Sequence, residues 1–390
     1  MTKNCKIMLV VGEASGDTHA AMLVRSIREV APHVNFEFFG SAGPKLREIG
    51  VEAVVNADDL AVVGVPEIAR LLPMFLRTLR KLKSAANERK PDIAILVDFP
   101  EFNLKLARSL KKQGCKVVYY ISPQLWAWRK YRVRTIRKYV DLLISILPFE
   151  KKWYAEHGVS HVEYVGNPLS QNVSPTMSKG DFCALHDISN MVPIVALLPG
   201  SRRTEISRIL PVMLAAAAEV EAELPDVQFL IASANERCTG IIDTAIKNAI
   251  KAGSRMPGNM KVIEGATYDV LSAADAAAVT SGTATLETGI IGTPMVIVYD
   301  IAPLNYHLFK PLISVDFIGL INLIAEKRVA NEFIQDDFTA ETTKAELLRL
   351  LEPETNAAVR AELKIAADKL GHGGASKRAA EAILRVLAQK

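Results

Sequence analysis

The sequence predicts an α/β protein of two domains, each organised on a doubly wound, mostly parallel sheet. Three observations predict it. The chain has 390 residues, more than one hydrophobic core usually serves. Short apolar runs alternate with helical stretches throughout, the pattern of βαβ units. The alternation also starts twice, because a crossing at Val165-Gly166-Asn167-Pro168-Leu169 and a polar linker, Ser170–Gly180, separate one series from the next. The expected domains are therefore 1–168 and 169–374, with a last helix inside 375–390 returning to pack on the first.

Composition narrows the class. With 49% apolar and 23% charged residues the chain is a folded globular one. A net charge of +4 makes any basic surface a local feature. Cys5, Cys115, Cys183 and Cys238 are scattered with no C-x-x-C, which argues against a disulfide framework or a zinc site and fits a reducing cytosol. No metal constellation is read among the histidines, and no metal or cofactor is expected. The apolar run Ile7–Val11 is too short for a signal peptide, and no run approaches the roughly 18 apolar residues of a membrane span.

In chain order, Ile7–Val11 is the first strand. Gly12-Glu13-Ala14-Ser15-Gly16-Asp17 follows, small enough for close backbone approach to a ligand, or simply a tight βα turn. It is not G-x-G-x-x-G, so no dinucleotide site is read. Strands follow at Asn35–Phe39 and Glu52–Val55, with a helix around Leu46. Ile68–Leu82 is amphipathic: Ile68, Leu71, Leu72, Phe75, Leu79 and Leu82 share a stripe, Arg70, Arg77, Arg80, Lys81 and Lys83 lie mostly off it, and Pro73 bends it. Such a stripe faces a core or, for a lipid substrate, an anionic membrane surface. Ile93–Val97 is a strand, and Asp98 stands at its carboxyl end, where parallel sheets collect ligands. Next to Phe99-Pro100, Asp98 reads as the cap of the helix Glu101–Lys112 or as a general base with a raised pKa, and on these residues alone the cap is the simpler reading. Lys116–Ile121 leads into Ser122-Pro123-Gln124-Leu125-Trp126-Ala127-Trp128-Arg129, an unusual string for a buried turn. Six basic residues in ten follow from Arg129 to Lys138, a solvated face or a site for an anionic substrate or lipid headgroups. No recognised nucleic-acid fold accompanies them, so nucleic acid is discounted. Leu142–Ile146 and a helix at Phe149–His157 complete the first series.

The second series has strands at Ile194–Leu198, Gln228–Ala232, Lys261–Ile263, Ala276–Val279 and Met295–Tyr299. Leu198-Pro199-Gly200-Ser201-Arg202-Arg203-Thr204-Glu205 joins the first of these to a helix running to about Glu223. Strand, glycine turn and helix start aim free N–H groups at an anion, and Arg202 and Arg203 add guanidinium forks suited to a diphosphate. Thr280-Ser281-Gly282-Thr283-Ala284-Thr285-Leu286-Glu287 repeats the layout, with Glu287 one turn into the helix and able to accept from both ribose hydroxyls. Each loop alone is compatible with an ordinary strand–helix connection; the pair favours a nucleoside diphosphate. Glu264-Gly265-Ala266-Thr267 is a weaker candidate for a base edge. Asn322, Glu332 and Gln335 are polar among apolar residues and are candidates for facing a cleft. The tail from Glu354 is helical, broken at Gly371-His372-Gly373-Gly374.

Taken together, these strings resemble one family over almost the whole chain, lipid-A-disaccharide synthase. The residues that carry the resemblance are Gly12–Asp17, Gly64-x-x-Glu67, Asp98 with Phe99-Pro100 and Phe102-Asn103, Ser122-Pro123-Gln124-x-Trp126-Ala127-Trp128-Arg129, Leu147-Pro148-Phe149-Glu150, Leu198–Arg202, Ser281-Gly282-Thr283-Ala284-x-Leu286-Glu287, and Asn322 with Glu332 and Gln335. The resemblance implies an α/β fold of two facing Rossmann-like domains, the GT-B glycosyltransferase architecture, with C-terminal helices. It implies an inverting transfer of 2,3-diacylglucosamine from UDP to 2,3-diacylglucosamine 1-phosphate in lipid A biosynthesis, with no cofactor. UDP would be held by Ser201, Arg202, Ser281, Gly282, Thr283, Ala284 and Glu287, and Asp98 becomes the preferred base toward the acceptor 6-hydroxyl. Ser15, Gly16, Asp17, Glu67, Gln124, Trp126, Arg129, Asn322, Glu332 and Gln335 would line the acceptor cleft. It further implies a homodimer and a cytoplasmic enzyme peripherally bound to the inner membrane through 68–82. One departure stands out: the family often has His where this chain has Asn167, and Asn cannot titrate. Two rivals remain, a UDP-sugar 2-epimerase of the same architecture and a non-catalytic nucleotide-sugar sensor.

Overall fold

A computed structural model describes residues 4–59, 68–301 and 315–389. The chain divides into two compact units, residues 1–168 with 372–390, and residues 169–371. Each unit is built on a parallel sheet, and in each the strand order reverses direction once.

The first sheet has seven strands: β1 Asn4–Val10, β2 Asn35–Ala42, β3 Glu52–Asn56, β4 Ile93–Val97, β5 Lys116–Tyr120, β6 Leu142–Ser145 and β7 Val162–Tyr164. Their order is β3-β2-β1-β4-β5-β6-β7, with Leu9 paired to Ile95 and Val10 to Leu96. Strands buried on both faces are continuous apolar runs, and β4 is buried at all five positions. Alternation sends Ile7 and Leu9 into one core layer and Met8 and Val10 into the other. The last helix, Ala375–Ala388, buries Ala379, Ala380, Ala382 and Ile383 in the layer that also holds the helix Ala14–Val30. The helix Ile68–Arg89 contributes Leu79, Leu82, Ala85 and Ala86 to the opposite layer, so this part of its apolar stripe faces a core. The side chains of Ile68, Leu71 and Leu72 lie outside the described residues.

The second sheet has six strands: β8 Ile194–Leu198, β9 Gln228–Ser233, β10 Met260–Glu264, β11 Ala276–Thr280, β12 Met295–Tyr299 and β13 Glu332–Ile334. Their order is β10-β9-β8-β11-β12-β13. The sequence pattern missed β7 and β13, which have three residues each, too few to show a period. The stretch expected as a linker, Ser170–Gly180, is instead tied down. It contains the end of a short helix, Leu169–Asn172, and the start of another, Lys179–Leu185. Between them Asp269, only 4% exposed, accepts from the Thr176 N–H at 2.6 Å and the Met177 N–H at 3.1 Å. Polar residues there satisfy a buried carboxylate rather than solvate a tether.

In an open parallel sheet, ligands gather where the strand order reverses, outside the carboxyl ends of the two strands flanking that point. In the first sheet those strands are β1 and β4, which run into Gly12–Asp17 and Asp98. In the second they are β8 and β11, which run into Leu198–Glu205 and Ser281–Glu287.

Candidate functional site

Asp98 ends β4 in the left-handed region, φ 45°, and Phe99 follows at φ 48°. Two successive non-glycine residues there are costly, on the order of 1–3 kcal/mol each, and need external support. The support is visible. The Asp98 carbonyl accepts from the Asn103 side-chain amide at 2.7 Å and from the Tyr119 hydroxyl at 2.6 Å. The same Asn103 amide donates to the Val97 carbonyl at 3.1 Å. Asn103 is fully buried, and its Oδ1 has no partner among the described residues.

This turn bears on the capping reading of Asp98. The residue capping the helix Pro100–Lys112 is Phe99, and no side chain bonds the helix start. The Asp98 carboxyl is thus not spent on capping the helix, and it accepts from the Phe99 backbone N–H. Burial, then the charge of nearby Glu13, raise its pKa to about 6. A carboxylate that binds a proton at near-neutral pH is suited to taking one from a hydroxyl.

The glycine turn packs directly on this carboxylate's neighbour. A Cβ on Gly12 would lie 2.3 Å from Cδ1 of the Phe99 ring. We expect Gly12→Ala to lose about 1–3 kcal/mol in urea unfolding, since the ring must move to make room. Ser15 is exposed in the first turn of the helix Ala14–Val30, and Gly16 packs at 3.8 Å on Val11 and Val97. Asp17, expected in the acceptor cleft, is buried against backbone. It is 2% exposed, and its two oxygens accept from the backbone N–H groups of Gly43 and Lys45, each at 2.8 Å, at the start of the helix Pro44–Glu48. Its charge serves the fold.

The tryptophan string is organised by a residue to which the sequence analysis gave no role. Glu150, 1% exposed, accepts from Ser122 Oγ at 2.5 Å, Trp126 Nε1 at 3.0 Å and the Leu147 N–H at 3.3 Å. Burial raises its pKa to about 7 even though these donors act to lower it. Tyr154 adds a bond to the Pro123 carbonyl at 2.6 Å. Trp126, expected in the cleft, thus anchors the loop from inside, while Gln124 and Trp128 are exposed. Arg129, at φ 57°, stacks its guanidinium 4.2 Å from the Trp128 ring and pairs with Glu101. Its own position is thus well defined.

In the second unit all seven residues expected on UDP meet. Ser201, Arg202, Ser281, Gly282, Thr283, Ala284 and Glu287 line one cavity of about 350 Å³, with Gly200, Glu205 and Thr267. Gly200, at φ 98°, turns the chain, and a Cβ there would lie 2.7 Å from a Glu205 oxygen. Glu205 accepts from the Ser201 and Arg202 N–H groups, both at 3.3 Å, and pairs with the Arg202 guanidinium at 3.0 Å. Glu205 is 14% accessible but the Arg202 side chain is 77% accessible, so solvent screens the pair and it holds the guanidinium only weakly. On the other wall the helix Thr283–Ile291 begins at Gly282, φ 147°, with no side-chain cap. Its first N–H groups and its dipole point into an anion-ready space. Glu287 is half-buried, its pKa is raised by burial, and Tyr268 donates to its Oε1 at 2.9 Å.

The remaining expectations fare differently. Glu67 lies outside the described residues. Asn322, expected to face a cleft, is fully buried and engages Val329, Ala330 and Glu332. Glu332 accepts from the N–H groups of Ile318 and Gly319 at 2.8 and 2.9 Å. Gln335 bonds both the N–H and the carbonyl of Ile301. Asn167 is 2% exposed. His157 and His161 do share the spacing H-x-x-x-H, but His157 Nδ1 lies 2.8 Å from the Trp153 carbonyl. Among the described residues no cluster of three or more His, Cys, Asp or Glu is placed to hold a metal ion.

Comparison with known proteins decides the family. A family model described as lipid-A-disaccharide synthetase matches residues 7–386. The chain belongs to the lipid-A-disaccharide synthase family. It is 45% identical to the lipid-A-disaccharide synthase of Syntrophus aciditrophicus, covering 98% of each chain, and 41% identical to that of Geobacter sulfurreducens, covering 100% of each. It is accordingly a glycosyltransferase that forms the lipid A disaccharide. Solved structures share the fold. The S. aureus MnaA–UDP co-structure aligns with a TM-score of 0.65 at 13% identity, covering 98% of this chain and 97% of that one. A glycosyltransferase from Rickettsia africae aligns at 0.59 and 12%, covering 100% of each. The GT-B architecture expected of the family is therefore the one observed. Among the described residues no helix is long and apolar enough to cross a membrane.

Proposed function

We propose that this enzyme moves 2,3-diacylglucosamine from UDP to the 6-hydroxyl of 2,3-diacylglucosamine 1-phosphate, with inversion, and releases UDP. The observation that carries this reading is the pairing of functions at the two sheet reversals: a half-buried carboxyl with a raised pKa in one unit and an anion-ready cavity in the other. Asp98 accepts the hydroxyl proton as the oxygen bonds to the anomeric carbon. The bond from that carbon to the diphosphate breaks, and its electron pair leaves with UDP. Negative charge grows on the diphosphate, where the start of the helix Thr283–Ile291 supplies fixed donors that need no reorganisation and the exposed Arg202 guanidinium adds positive charge. Glu287 takes the ribose. The acyl chains keep both substrates at a lipid surface. Exposed Leu76, Arg77, Arg80 and Lys81 on the helix Ile68–Arg89, with exposed Tyr131 in the basic run, support peripheral attachment to the cytoplasmic face of the inner membrane.

The test is UDP release from UDP-2,3-diacylglucosamine with and without the diacylated sugar 1-phosphate. Release that requires the acceptor is expected. Release indifferent to the acceptor points to a hydrolase or epimerase, and no release despite UDP binding points to a sensor.

A further inference from the structure

Glu287 is a wall shared by two cavities. The first, of about 350 Å³, holds the phosphate-binding loops; the second, of about 310 Å³, is lined by Thr176, Gly265, Ala266, Tyr268 and Asp269. A half-buried carboxylate at such a junction would ordinarily be held by a cation, yet no ion pair to Glu287 is found among the described residues. What holds it is the Tyr268 hydroxyl, at 2.9 Å from Oε1. Burial and the facing Glu287 charge both raise the phenol pKa, so the phenol keeps its proton and acts as the donor. Tyr268 itself stands on a fixed base. The next residue, Asp269, is tied to Thr176 through both the N–H and the hydroxyl, at 2.6 and 2.8 Å.

We infer that Tyr268 is a positioning residue for the nucleotide, holding Glu287 by Oε1 so that Oε2 meets the ribose 2′-hydroxyl, and that this makes the site select ribose over 2′-deoxyribose. The inference rests on reading the first cavity as the UDP site. Without the phenol, the carboxylate is free to rotate, and orienting it again falls to the ligand. A hydrogen bond to a charged group, made in one geometry only, discriminates by roughly tenfold or more.

The test is calorimetric binding of UDP and 2′-deoxy-UDP to the wild type, Tyr268→Phe and Glu287→Gln. The wild type is expected to prefer UDP by about tenfold or more. Tyr268→Phe should weaken UDP by about that factor, leave 2′-deoxy-UDP nearly unchanged, and bring the ratio toward one. Phenylalanine keeps the ring, and the ratio is insensitive to any uniform loss of folded protein. If Glu287→Gln abolishes the preference while Tyr268→Phe keeps it, or weakens both nucleotides equally, Glu287 grips the ribose without Tyr268 and the inference falls. If the wild type itself shows no preference, the ribose role of Glu287 falls and takes the inference with it. If the wild type binds neither nucleotide, the reading of the cavity is wrong.

Discussion

Asp98→Asn is expected to lower turnover by roughly 10²- to 10⁴-fold, the range in which a positioned acid or base acts, while UDP affinity stays at the wild-type value. The split follows from where the residue sits. Asp98 belongs to the unit of residues 1–168, whereas the loops expected to hold UDP belong to the unit of residues 169–371. Asparagine preserves the size of the side chain but loses the charge and the capacity to take a proton. The raised pKa also has a sign for stability. The folded state holds the Asp98 proton more tightly than the unfolded chain does, so this group favours folding at acid pH. That contribution is lost as pH rises from the ordinary carboxylate range through about 6. Asp98→Asn should therefore cost no stability at neutral pH, and chemical denaturation at pH 5 and pH 8 measures it. A variant that is inactive because it is unfolded would show itself there.

The second large effect is expected at Asn103, which touches no reacting atom in this account. Its amide satisfies the Val97 and Asp98 carbonyls and so holds Asp98 and Phe99 at positive φ. Asn103→Ala leaves a buried carbonyl short of a donor, at a cost of about 1–3 kcal/mol. It also lets the strained turn relax, and a displacement of about 1 Å at a catalytic group lowers rate by roughly a hundredfold. We expect turnover to fall by roughly 10- to 100-fold with UDP affinity unchanged. Tyr119→Phe removes only one of two donors on the Asp98 carbonyl and should fall less. Unaltered turnover in Asn103→Ala would mean that the turn does not need its lock.

The expected nucleotide loops met in one cavity because each is defined by local chemistry. A buried strand, a glycine turn and a helix start are all legible over ten residues, and the doubly wound pattern brings two such units side by side. Asp98 was legible as a carboxylate at a strand end. Its freedom from capping was not, because the left-handed turn depends on Asn103 one helical turn on and on Tyr119 in the next strand. Glu150 reads in sequence as an acid in the first turn of a helix, a common dipole partner. That it is the buried acceptor of Ser122 and Trp126 follows only from the pairing of β5 with β6 and the turn after it. Asp17, Asn322 and Asp269 teach the same lesson. A polar residue in an apolar stretch either faces a ligand or satisfies buried backbone, and the choice lies with partners far away in sequence.

The measurement that tests the central claim most directly is the pH dependence of kcat/KM for acceptor-dependent UDP release, in the wild type and in Asp98→Asn. If Asp98 is the base, the wild-type rate falls as pH drops through about 6, and the residual rate of the variant lacks that limb. A wild-type profile flat from pH 5 to pH 8, or a variant that keeps the same acid limb, would place the proton on another group.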